Sequence, residues 1–163
     1  MQQFAGRLSV LPVLAMALVI ALVMASHSRA GGLTGSTTVK TTKPYAELVA
    51  ALDAAVEAEG FFVVTRASAS VGASRRGVTI PGNMIVGVYR NDYAVRMLAA
   101  SVPSGIEAPP RFYITETPDG TASLTWRSPS AIFAPYDGGQ ALKDMAAELD
   151  VVWTAIAKRA TVE

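Results

Sequence analysis

The sequence contains no cysteine and only one histidine, His27, among its 163 residues. The absence of cysteine excludes disulfides, thiolate metal sites and cysteine nucleophiles. The sequence also lacks an excess of charge of one sign, since 14 lysine and arginine residues stand against 13 acidic ones. Nucleic-acid binding requires clustered positive charge, and the densest basic group here is the pair Arg75 and Arg76. We therefore expect no nucleic-acid partner.

The first 30 residues have the pattern of an export signal. Arg7 precedes an almost purely apolar run from Leu8 to Met24, and small polar residues then lead to Ala30. A basic start, an apolar core and small residues before a break are typical of a secretory signal peptide. We predict a signal peptide at 1–30, cleavage after Ala30 and a periplasmic or secreted protein. The alternative is retention by an uncleaved N-terminal anchor, because the apolar run reaches the lower limit for a membrane span.

Cleavage would change the chemistry that is available to the protein. It removes Arg7, Arg29 and His27, so residues 31–163 carry twelve basic and 13 acidic side chains and a net charge of −1. A domain without histidine or cysteine lacks the commonest general base and the usual ligands of zinc and copper. Ser-His-Asp and Cys-His arrangements are excluded as well. We expect no metal, no cofactor, no catalytic residues and, after cleavage, no membrane association.

After a flexible lead-in at residues 31–36, hydrophobic spacing predicts alternating strands and helices. The predicted strands are 37–43, 61–67, 84–89, 111–117 and 121–127, and the predicted helices are 44–59, 91–100 and 140–159. Pro44 suits the first position of the first helix, with Thr41 or Thr42 near its cap, and Asn91 or Asp92 is expected to cap the second.

The connecting segments are predicted from their glycine, proline and small polar residues. Residues 68–82 form a loop or one short helical turn, the prolines of 103–110 hold an extended linker, and 128–139 is a loop. Pro118-Asp119-Gly120 is a strong turn signal, so the strands on either side of it form a hairpin. These elements predict one α+β domain over 37–160, a two-layer fold with a mostly antiparallel sheet and helices packed on one face.

Several motifs follow one another in an order that identifies a family. They are Lys43-Pro44-Tyr45 through Gly60-Phe61-Phe62-Val63-Val64, then Met84–Tyr89, Met97-Leu98, Ala108-Pro109-Pro110, Asp119-Gly120 and Leu124-Thr125-Trp126. With this order the chain resembles the domain of unknown function 302 family. Members usually have a Gly-Asn-Pro turn after the third strand, where this chain has Tyr89-Arg90-Asn91-Asp92. The resemblance implies an α+β fold and often an exported location, and it implies no activity.

Three segments contain candidate ligand-binding residues. Tyr89, Arg90, Asn91, Asp92 and Tyr93 follow a probable central strand, where ligand groups are common; the alternative is a helix cap with packing aromatic rings.

Phe133 and Tyr136 lie in the 128–139 loop and either cover an apolar ligand, meet a partner, or anchor the loop on the core. Arg75 and Arg76 lie in a Gly/Ser-rich loop whose backbone amides would suit an anion; the alternative is a solvated loop.

These observations favour an exported envelope domain that binds an unknown small molecule or envelope protein and has no catalysis of its own. One alternative is a small metal-independent enzyme that uses Ser/Lys groups, such as Lys143 with Ser128 or Ser130, or Tyr/carboxylate groups at 89–93. Another is a structural homo-oligomer that assembles through the 111–127 hairpin, if that hairpin lies at a sheet edge.

Overall fold

The computed structural model describes residues 33–162. The predicted export segment lies outside these residues, so cleavage after Ala30 stays a prediction. Within 33–162, no helix is long and apolar enough to cross a membrane.

Five strands form one sheet in the order β1-β5-β4-β3-β2. The strands are β1 (Ser36–Pro44), β2 (Phe62–Ala67), β3 (Asn83–Tyr89), β4 (Arg111–Glu116) and β5 (Thr121–Arg127). Every neighbouring pair is antiparallel. With the helices packed against it, this sheet confirms the predicted α+β class.

Within residues 33–162, five α-helices and one 3₁₀-helix connect and cover the strands. The α-helices are α1 (Tyr45–Ala58), α2 (Ala69–Ser74), α3 (Asn91–Ala100), α4 (Pro129–Phe133) and α5 (Gly139–Thr161), and the 3₁₀-helix is Val102–Glu107. The three long helices were predicted within a few residues. Two connecting segments differ from the prediction, because the 103–110 linker is largely helical and the 128–139 loop begins with α4. Ser128 caps α4 by accepting a hydrogen bond from the Ala131 amide at 3.3 Å.

The predicted cap of α3 is wrong, and the threonines expected near the cap of α1 belong to the preceding strand. Thr41 and Thr42 lie within β1, and the Thr41 hydroxyl donates to the Ala122 carbonyl at 2.8 Å. Pro44 and Arg90 occupy the N-cap positions, and neither makes a side-chain capping bond. Neither helix therefore has the usual Ser, Thr, Asp or Asn side-chain cap. Packing against the rest of the domain stabilises them instead.

The hydrophobic core lies between one face of the sheet and the helices. Phe112, Ile114 and Leu124 have no exposed surface on the strand side of this core. Trp153 of α5 stacks on Phe112 at 5.7 Å between ring centroids, with planes 13° apart. Because successive side chains of a strand point to opposite faces, the residues between these core positions face away from the helices.

The predicted hairpin lies inside the sheet. β4 pairs with β3 on its other side, and β5 pairs with β1. The free edges belong to β1 and β2 instead. The condition on which assembly through the hairpin depended, a hairpin at a sheet edge, is therefore not met.

Candidate ligand-binding site

The helix-free face of the sheet contains a row of directly opposed residues at its centre. The register aligns Thr38, Thr125, Tyr113, Ile85 and Ala67 across all five strands. Ile85 is 37% exposed and Tyr113 is 41% exposed. This central row, as we call these five residues, presents an aliphatic and an aromatic side chain to solvent.

A second row on the same face is positively charged. Arg111 and Arg127 flank the opposed pair Phe112 and Trp126, so the antiparallel register places the two arginines opposite each other. Arg127 also opposes Ser36 of β1, and Arg111 opposes Gly87 of β3. We call Arg111 and Arg127 the arginine pair. It lies two residues along the strands from the central row, a separation of about 7 Å.

These residues line a groove of about 650 Å³. The groove is lined by Ile85, Tyr113 and both members of the arginine pair. Its lining also includes Leu33, Ile132, Glu107 and Ser68-Ala69. Clefts of about 300–1,000 Å³ hold typical small-molecule ligands. The groove is therefore large enough for a small molecule, and we name it the open-face groove.

The arginine pair has no carboxylate partner among residues 33–162, where the ion pairs involve other cations. Arg127 Nη2 donates to the Ala131 carbonyl at 3.2 Å, and its buried Nε has no partner within the described chain. The carboxylate that lines the groove, Glu107, accepts a hydrogen bond from the Tyr136 hydroxyl at 2.7 Å. This bond raises the pKa of Tyr136. The groove therefore carries an excess of positive charge.

The residues predicted at 89–93 form a self-contained cluster instead of converging on a cavity of ligand size. Arg90 donates to both Asp92 oxygens, at 2.7 and 2.9 Å. Its guanidinium also stacks over the rings of Phe61 and Tyr93, 4.6 and 4.5 Å from their centroids. The hydrogen bonds to Arg90 lower the pKa of Asp92.

Asn91 Nδ2 donates to the Tyr89 hydroxyl at 3.0 Å, which completes this cluster. The space beside Tyr89, Arg90 and Tyr93 amounts to only about 30 Å³, roughly the volume of one water molecule in the liquid. The Tyr/carboxylate enzyme hypothesis required at least two of these groups to meet in a pocket. Their polar groups bind one another, and the structure gives that hypothesis no support.

Phe133 and Tyr136 anchor their segment to the rest of the domain. Phe133 is 3% exposed, and Tyr136 is held by Glu107. Both line a smaller cavity of about 190 Å³ that Ser130 and Lys143 also border. The Ser130 amide and hydroxyl donate to Asp150 at 2.9 and 2.5 Å. Because the Ser130 hydroxyl donates its hydrogen bond to Asp150, it does not donate to Lys143 as the Ser-Lys arrangement requires.

Arg75 and Arg76 are exposed directly after α2. The amides of Arg76 and Val78 donate to the Ala73 carbonyl, and the Gly77 amide donates to Ser74. These amides are the groups that the predicted anion site required. Since they close the end of α2, the structure favours the alternative of a solvated loop.

Sequence reasoning missed the arginine pair and the exposed central row. A signal was present, because Arg111 and Tyr113 alternate with the core residues Phe112 and Ile114. The Pro118-Asp119-Gly120 turn also sets Arg111 and Arg127 at equal distances from its centre. No group of three or more His, Asp or Glu side chains within residues 33–162 is placed to hold a metal ion.

Comparison with known proteins gives a family and a fold. The model of the family described as "Domain of unknown function DUF302" matches residues 37–159. The crystal structure of an uncharacterised conserved DUF302 protein from Bacillus stearothermophilus is similar, with a TM-score of 0.69 and 21% identity over 78% of this chain and 98% of that chain. At this identity the likeness shows the fold alone. No curated protein matches the chain. The family match spans most of the chain and agrees with the motif order in its sequence, and the protein belongs to the DUF302 family.

Proposed function

We propose that the protein is an exported binding domain of the cell envelope that takes a small molecule in the open-face groove and has no catalysis of its own. The observation that carries this proposal is the groove itself. It is of ligand size, it has an exposed apolar centre, and it contains two arginines that form no ion pair within the described chain. Apolar lining with a few placed polar groups is the usual composition of a ligand site.

The absence of catalysis is proposed from the side chains that the domain contains. After cleavage, residues 31–163 have neither histidine nor cysteine. Arg90 with Asp92, and Ser130 with Asp150, use their polar atoms on each other. None of these four residues lines the open-face groove, and this supports a binding role for the groove.

Export and binding are tested together by native mass spectrometry of the protein recovered after expression of the full-length chain. The denatured mass of residues 31–163 is expected if cleavage follows Ala30, whereas the full-length mass would support the anchor. The native spectrum is expected to contain additional mass that denaturation releases. If the native protein is bare, a small-molecule panel that produces no thermal shift would argue against a ligand-binding domain.

A Tyr113→Ala variant serves as the groove control in that experiment. Tyr113 is 41% exposed and points away from the helices, so its truncation should leave the domain folded. The variant is expected to lose the released mass. Retention of the same mass in this variant would place the ligand elsewhere.

Self-association through β2 is a second candidate, favoured by one observation. β2 is an edge strand, and its Phe62 and Val64 are 66% and 49% exposed. An exposed apolar edge strand is a template for pairing with another chain. Sedimentation at high protein concentration tests this candidate: a Phe62→Lys variant should dissociate a dimer formed through β2, and a strictly monomeric wild-type protein would dismiss it.

A further inference from the structure

We propose that the open-face groove selects an amphipathic carboxylate, whose head binds the arginine pair and whose apolar body lies along the central row. This inference rests on the proposed function and names the chemical class of its ligand. It depends on the sheet register, on the ion pairs of the described residues and on the exposure of Ile85 and Tyr113.

The two arginines occupy opposed positions on neighbouring strands and carry the same charge. Opposed residues of antiparallel strands have Cα atoms about 4.5–5.5 Å apart, and their side chains lie on the same face. Like charges in this position destabilise a sheet. Elsewhere in residues 33–162, arginines such as Arg66 and Arg96 pair with a carboxylate at 2.6–2.7 Å. The arginine pair has no carboxylate at ion-pair distance, so an anion bound between the two arginines relieves their repulsion.

The arginine pair favours a carboxylate as the anion. A guanidinium presents its donors in a planar fork that matches a carboxylate. Arg127 is partly fixed by its bond to the Ala131 carbonyl, so the head would meet one positioned and one exposed guanidinium. Ser36, which opposes Arg127, adds a hydroxyl to the same row.

The central row favours an apolar body in the rest of the ligand. The central row begins about 7 Å from the arginine pair and crosses five strands, a width of about 19 Å at 4.8 Å per strand. Its large exposed apolar members are Ile85 and Tyr113, which suit an apolar chain or ring rather than a further charge. A small inorganic anion would leave this apolar surface uncovered, whereas an amphipathic carboxylate covers both rows.

Three probes of equal chain length separate the contribution of the head from that of the body. Decanoate, 1-decanol and decyltrimethylammonium are titrated below micelle formation, and binding is followed by calorimetry and by the amide NMR shifts of Ile85 and Tyr113. Decanoate is expected to bind at least about tenfold more tightly than decanol, because a charged hydrogen bond is stronger than a neutral one, and the cation is expected not to bind. Added salt should weaken only the decanoate interaction.

Matched variants identify the residues. Arg111→Gln and Arg127→Gln are each expected to weaken decanoate binding about tenfold and to leave decanol binding unchanged. Lys40→Gln is the control, because Lys40 opposes Ser123 on the same face but does not line the groove. This variant removes the same charge and is expected to leave decanoate binding unchanged.

The outcomes separate this inference from the proposed function. Equal binding of decanoate and decanol at the central row would overturn the carboxylate preference and leave a small-molecule groove in place. Loss of decanoate binding in Lys40→Gln equal to that in Arg111→Gln would reduce the preference to a general charge effect and also overturn it. If no probe shifts the amide NMR signals of Ile85 or Tyr113, the inference is wrong. If the protein is also bare in native mass spectrometry and shows no thermal shift with the small-molecule panel, the groove proposal is wrong too.

Discussion

Two neighbouring isoleucines on opposite faces of the sheet provide the sharpest test of the architecture. Ile114 has no exposed surface and packs in the core, whereas Ile85 is 37% exposed in the open-face groove. We predict that Ile114→Ala destabilises the domain far more than Ile85→Ala. The two changes remove the same three carbons, so the difference between them reports only on the environment.

The expected magnitudes follow from burial. Three buried carbons at about 0.8 kcal/mol each give a transfer cost of about 2.4 kcal/mol. For Ile114 the enclosed cavity left behind raises the loss to about 3–5 kcal/mol. For Ile85, 37% exposed, the transfer cost falls to about 1.5 kcal/mol, and no cavity is enclosed because the position opens to solvent.

Urea unfolding of both variants and the wild type, at one protein concentration, measures these losses. The slope of the free energy against urea should be unchanged, so that the midpoints report stability directly. Equal losses at Ile85 and Ile114 would refute the reasoning, because Ile85 would then be covered in solution. Unfolding midpoints that rise with protein concentration would identify a second copy as the cover.

Two further predictions concern a close approach in the sheet and a charged turn. Gly87→Ala should cost about 1–3 kcal/mol in urea unfolding, because the new Cβ would clash with the Thr65 hydroxyl and lie 2.7 Å from Pro109 Cγ. Gly72→Ala is the control and should lose no stability, since its new Cβ would have nothing within 4 Å. Hydrogen bonds from Thr117 and Thr121 lower the pKa of Asp119 to about 2, so an NMR titration should find this value and Thr117→Val should raise it. Because the pKa of Asp119 is lower in the folded protein, its ionised carboxylate stabilises the fold fully above about pH 4, and this stabilisation disappears as the pH falls through about 2. Asp119→Asn should remove the loss of stability that the protonation of Asp119 causes.

The local part of the fold follows from the sequence, because its signals are local. The apolar spacing in 140–159 and the alternation around Phe112 and Ile114 identify a helix and a strand without any knowledge of their partners. The order of the strands depends on contacts between distant segments. Nothing in the residues of β3 alone indicates that Ile85 lies beside Tyr113, so the central row could not be assembled from the sequence.

The arginine pair was partly predictable from the sequence, unlike the order of the strands. The turn at 118–120 sets the hairpin register, and that register places Arg111 opposite Arg127, so one half of the candidate site was predictable. The cluster at 89–93 misled the sequence reasoning for the opposite reason. Whether Arg90 and Asp92 bind a ligand or each other depends on their rotamers. It also depends on Phe61, which lies between α1 and β2 and whose ring contacts the Arg90 guanidinium.

The two faces of the sheet make opposite contributions to stability. On the helix face, Trp153 contacts Phe61 edge-on and stacks on Phe112, and truncation there must destabilise the fold. On the open face, the two members of the arginine pair lie on opposed strands and carry like charges. Their repulsion lowers the stability of the fold when no anion is bound. Arg111→Gln should therefore raise the unfolding midpoint of the free protein. It should also reduce the stabilisation that decanoate produces. For the wild type, decanoate at a hundred times Kd adds about 2.7 kcal/mol to the free energy of unfolding. A single substitution with these two opposite effects separates a binding residue from a structural one, because loss of a structural contact lowers the midpoint of the free protein. If Arg111→Gln lowers that midpoint, Arg111 supports the sheet, and the case for an anion-binding pair fails.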